Sequence, residues 1–166
     1  MNLEHASDSV IKLDRMRYTK DTLSANLILV AIVLDALYFV KLYQQDVSDY
    51  YYKWWIGASV IYNLVFLLAA FLCSESVKAR RTNMTGLLVV LSVMQFVRIG
   101  QIPARIKDAV VVVGEESKDV VSDGAYAFLV AMLVISGLCL ALAAVSSLLN
   151  AYKLDKYMKS LENQSA

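Results

Sequence analysis

The chain has 166 residues, of which 58% are hydrophobic and 19% charged, with a formal net charge of +1, one proline, two cysteines and one histidine. A water-soluble domain carries about 45–50% apolar residues even with glycine counted, and about 25% charged ones, so a soluble globule and a disordered chain are both excluded. Balanced charge and sparse cysteine likewise exclude a nucleic-acid binder and a disulfide scaffold.

Residues 1–22 carry Lys12, Arg15, Arg17 and Lys20 among Val10, Ile11, Leu13, Met16 and Tyr18. This imperfect apolar face predicts either a short amphipathic helix on the inner membrane surface or a loosely ordered tail. Four apolar stretches follow, at 23–43, 54–73, 84–102 and 126–150, and they contain only three charged residues, Asp35, Lys41 and Arg98. Each stretch matches the roughly 20 residues that cross about 30 Å of hydrocarbon. Four open strands would leave backbone groups unsatisfied in lipid and could not close a barrel. The expected architecture is therefore all-α: an integral membrane four-helix bundle, residues 23–152, with a cytoplasmic helical extension at each end.

The connections carry their own signals. The first ends in Tyr50, Tyr51, Tyr52, Trp54 and Trp55. Amphipathic rings gather at the headgroup level, so Tyr51, Tyr52, Trp54 and Trp55 are expected to anchor the outer end of span two. The middle connection, 74–83, is short enough to make spans two and three an antiparallel hairpin. The third, 103–125, opens on Pro103, where span three must stop, and contains Ala109 followed by four valines. Five apolar residues cannot cross a bilayer; they suit a short strand or an outer-surface helix. Beyond residue 150, Leu154, Tyr157, Met158 and Leu161 recur at helical spacing between lysines, which predicts that span four runs on as a cytoplasmic tail, 153–166.

Basic residues set the orientation. Lys12, Arg15, Arg17, Lys20, Lys78, Arg80, Arg81, Lys153, Lys156 and Lys159 all fall in the N-terminal segment, the middle connection and the C-terminal tail, which four spans place on one side. The positive-inside bias makes that side cytoplasmic.

Asp35 requires an account, because a carboxylate at a helix centre costs about 2.5–3.5 kcal/mol on the insertion scale. At a rise of about 1.5 Å per residue, Asp35 sits roughly 18 Å up span one, and Gln95 and Arg98 roughly 17 and 21 Å up span three. Asn63, with Tyr62 beside it, falls near the middle of span two, and Ser136 and Gly137 near the same level of span four. Asp35, Asn63, Gln95 and Arg98 thus form a polar layer, with Asp35 and Arg98 an obvious ion pair. Three readings follow. The layer is a buried hydrogen-bonded network that fixes helix register, a site for an ion, proton or small polar ligand, or a means of recruiting another membrane subunit.

Span four also carries small residues four apart, among them Gly137 and Ala141, which marks it as a close-packing surface within the chain or toward another copy. The only histidine is His5, and no nucleophile elbow, phosphate-binding glycine loop or paired-cysteine metal motif is present. No catalytic residue, metal ligand or cofactor site is assigned. Four spans with an acidic residue in the first resemble small multidrug exporters in outline, without any motif of that family and with a longer third connection. The sequence points to a non-catalytic accessory or assembly subunit of a membrane complex, or a homo-oligomer; the alternative is a small transporter or channel that uses the polar layer. The expected partners are the lipid bilayer and other membrane subunits or further copies of the chain.

Overall fold

A computed structural model describes residues 8–44, 53–107, 110–113, 116–119 and 121–165. Helix α1 (Asp8–Met16) precedes α2 (Thr22–Tyr43), α3 (Lys53–Lys78), a single 3₁₀ turn (Thr82–Met84), α4 (Thr85–Gln101) and the short α5 (Pro103–Ile106). Strands β1 (Val110–Val113) and β2 (Glu116–Asp119) then lead into α6 (Asp123–Ser165). Four of these helices are long and apolar enough to cross a membrane. The fold is an all-α, four-span bundle with one small hairpin added to its third connection. Tyr51 and Tyr52 lie outside the described residues, and Trp54 and Trp55 fall in the first turn of α3.

Local chemistry explains most boundaries. Asp21 caps α2: its carboxylate accepts from the Ser24 amide at 3.2 Å and from the Ser24 hydroxyl at 3.1 Å. At the end of α3 the Arg80 amide bonds to Val77 O at 2.8 Å and the Arg81 amide to Ser76 O at 3.0 Å, a Schellman closure that puts Arg80 at φ 55°. Consequently α3 runs five residues past the apolar stretch read from sequence, and the turn to α4 tightens. Pro103 occupies the first turn of α5, where its missing N–H leaves nothing unsatisfied. Ser122 caps α6, its hydroxyl accepting from the Ala125 amide at 3.3 Å. Of the two conformations open to the valine run, the structure adopts the strand, with Val110 opposite Asp119 and Val113 opposite Glu116 in an antiparallel pair.

Helix α6 is the spine. It packs against α2 on one side and α4 on the other, and α3 closes the bundle between them. Its small residues do this within the chain: a Cβ on Gly137 would meet the Phe96 ring at 2.9 Å, and Ser92 donates to the Gly137 carbonyl at 2.9 Å. Ala143 and Ala144 are buried in the same seam and Ala141 is half-buried. At 43 residues α6 is about 64 Å long, so roughly half of it projects beyond a hydrocarbon layer of about 30 Å.

The interior divides into two apolar clusters. One, toward the termini, includes Ile28, Phe66, Ala70, Cys73, Leu88, Leu91 and Leu140. The other, toward the hairpin, includes Tyr38, Leu42, Ile106, Leu129 and Leu133. Outward-facing positions are equally apolar: Leu29, Val33, Leu37 and Val40 on α2, and Ile61, Leu64, Val65 and Leu68 on α3, are all exposed. Apolar surface this continuous is compatible with lipid and not with water.

Candidate functional site

Between the two clusters lies a polar layer to which every long helix contributes. Asp35 and Tyr38 come from α2, Tyr62 and Asn63 from α3, Gln95 and Arg98 from α4, and Ser136 from α6. These positions follow from helical spacing. Asp35 and Tyr38 are three apart, as are Gln95 and Arg98, so each pair shares one face of its helix. Asp35, Gln95, Asn63 and Arg98 are all at most 4% exposed.

Arg98 is the hub. Its Nη1 donates to Asp35 Oδ1 and, at 3.2 Å, to Gln95 Oε1, while Nη2 donates to Asn63 Oδ1. The guanidinium also lies over the rings of Tyr38 and Tyr62, its Cζ 4.8 and 4.7 Å from their centroids. Such contacts strengthen when the cation is desolvated, to about 2 kcal/mol. Gln95 Nε2 divides its protons between Asp35 Oδ1 at 3.1 Å and Ser136 Oγ at 3.2 Å. Ser136 passes its own proton to the Ala31 carbonyl at 3.2 Å. One continuous set of bonds thus ties all four spans.

The layer is not saturated. Asp35 Oδ2, Asn63 Nδ2 and the Tyr62 hydroxyl are buried without a protein partner. Beside Tyr62, on the side facing the hairpin, is a cavity of about 280 Å³ whose walls include Tyr38, Ser59, Tyr62, Arg98, Gln101 and Arg105. A water molecule, or a small solute with both donors and acceptors, has the right chemistry to meet these polar walls. Among the described residues no group of three or more His, Cys, Asp or Glu side chains could hold a metal ion.

The structure therefore brings Asp35, Asn63, Gln95 and Arg98 together, and places Gly137 and Ala141 in a seam away from the cavity. Sequence reasoning missed Tyr38, although its spacing from Asp35 put it on the same face. It also missed Asp21, which is buried at the end of the bundle nearest the termini. There Asp21 accepts from Asn150 at 3.0 Å, while its amide donates to Lys78 O at 3.1 Å, joining α2, α3 and α6. An aspartate followed three residues later by serine at the start of an apolar run was the available signal.

No known family, curated protein or solved structure matches the chain.

Removing one member of a buried ion pair strands the other, at a cost of about 3–5 kcal/mol, whereas replacing both by apolar residues is often neutral. Asp35→Leu and Arg98→Leu should each lower stability to that extent in denaturant titrations of the micelle-bound protein. The double variant should be more stable than either single one. Strictly additive losses would show that the two charges are not coupled.

Proposed function

We propose that the chain is a non-catalytic membrane component that acts as an accessory or assembly subunit, with both termini cytoplasmic and the hairpin on the opposite side. The observation that carries this reading is the hairpin itself. Two four-residue strands, paired only with each other among the described residues, make a sheet that is marginal in water. Its open edges offer unpaired backbone groups, the template for adding a strand from another chain. The polar layer supports the same reading, because most of its hydrogen-bonding groups are turned on one another, which suits a rigid platform. The small-residue stripe of α6 is already occupied within the chain, so self-association through Gly137 is not the contact we favour.

A second reading is favoured by the cavity above Arg98: a binding or transport site for a small polar solute. Its floor is a buried arginine and its wall holds an unpartnered phenol, the combination of one charge and a few convergent polar groups that fixes a small ligand.

Three measurements separate these ideas. In native membranes extracted gently, the wild-type chain should co-purify with another membrane polypeptide, and Val111→Pro, which breaks the strand, should abolish this without changing the thermal unfolding of the bundle. A strictly monomeric wild-type protein would remove the subunit reading. In proteoliposomes, Asp35→Asn and Tyr62→Phe should both reduce solute flux if the cavity transports; flux that is absent, or unchanged by both, would remove the transporter reading. For orientation, single cysteines at Ser48 and Glu115 should react with a membrane-impermeant maleimide in intact cells. Labelling only after permeabilisation would invert the topology.

A further inference from the structure

We propose that the groove between α1 and the inner end of α6 is a seat for one anionic phospholipid, whose phosphate is held by Lys12, Lys153 and Lys156. The groove has a volume of about 810 Å³, and apolar Leu13, Met16 and Leu149 line it together with the three lysines. Its level in the membrane is fixed by Asn150, which bonds to Asp21, the cap of α2. Two spans therefore meet the aqueous side at this height. Counted from Asn150, Lys153 lies about 4.5 Å and Lys156 about 9 Å further along the helix axis. The headgroup layer extends about 5–7 Å beyond the hydrocarbon on each side, so Lys153 sits at the phosphate level. Lys156 reaches back to it along its own flexible stem.

Charge decides the class of lipid. Two nearby carboxylates are engaged elsewhere, Asp14 with Arg17 at 3.2 Å and with the Tyr157 hydroxyl at 3.4 Å, and Asp155 with Lys159 at 2.8 Å, while Asp8 lines a neighbouring cleft with Lys12, Arg15 and Arg80. Among the described residues, no carboxylate pairs with Lys12, Lys153 or Lys156. Three uncompensated ammonium groups attract a headgroup of net negative charge and oppose the quaternary amine of phosphatidylcholine. The apolar lining separates a lipid from free phosphate, since only the lipid has chains to lay on it.

The test uses the full chain in micelles containing equimolar phosphatidylglycerol and phosphatidylcholine, with bound lipid read by mass spectrometry of the intact complex. Wild type should retain one phosphatidylglycerol in preference to phosphatidylcholine. The triple variant K12Q/K153Q/K156Q should lose that preference by roughly fivefold for each lysine removed, with its helicity unchanged. Lys153→Gln alone, at an exposed position, provides the same readout should the triple variant fold poorly. A control with equal loss of charge outside the groove, K20Q/K41Q/R81Q, should keep the preference. Equal binding of the two lipids by wild type, or an equal loss in the control, would overturn the site. Displacement of phosphatidylglycerol by millimolar inorganic phosphate would overturn it in favour of a free anion.

Discussion

The fold depends on how one guanidinium is accommodated in the middle of a membrane. The buried guanidinium of Arg98 carries a full charge and five N–H donors, which the protein must answer. It is answered by several groups at once: Asp35 neutralises it, Gln95 and Asn63 accept further hydrogen bonds, and the rings of Tyr38 and Tyr62 lie under the cation. A lysine could not substitute, because a single ammonium lacks the fork that reaches α2 and α3 at once. Asp35 is acceptable at its depth for the reciprocal reason. Each charge makes the other tolerable, and the helices that carry them must therefore approach at one rotation and one height.

That constraint matters more in lipid than it would in water. The long helices are apolar on all sides, and hydrocarbon solvates Leu29 or Val65 as well as a neighbouring helix would. Helix association then has little hydrophobic preference for one rotation over another and falls to close packing and hydrogen bonds. The structure supplies both along α6. Gly137 admits the Phe96 ring, and Ser92 and Ser136 donate to carbonyls of neighbouring helices. Asp21 repeats the arrangement at the end nearest the termini, where it holds α2, the end of α3 and Asn150 of α6 together. Two polar nodes a bilayer half-thickness apart define the register of the bundle.

Different parts of this were legible to different degrees. The spans could be read because lipid imposes a length, and the meeting of Asp35 with Arg98 because both lie on straight helices whose rise is fixed. Tyr38 was not read as a partner because an aromatic residue in a span is unremarkable by composition; only the rotation of α2 about Asp35 gives its ring a role. Asp21 was absorbed into a charged N-terminal segment; its spacing from Ser24 marks a helix start, but its bond to Asn150 is a tertiary contact that no local pattern encodes. The extension of α3 to Lys78 was missed because its last turn is polar, while its closure depends on backbone geometry at Arg80 that an arginine does not advertise. Periodicity could not choose between strand and helix for a five-residue apolar run; the pairing of Val110–Val113 with the polar segment Glu116–Asp119 decided it.

Among the described residues, the layer is approached from the hairpin side. The cavity beside Tyr62 leads from the hairpin end down to Arg98, whereas the other half of the bundle is filled by Phe66, Leu91, Leu140 and their neighbours. A solute at Arg98 could not continue toward the termini without separating helices that Gln95 and Ser136 hold together. Opening that path would break the network that makes a buried arginine tolerable, so passage and stability draw on the same bonds. In this conformation the cavity ends at the polar layer.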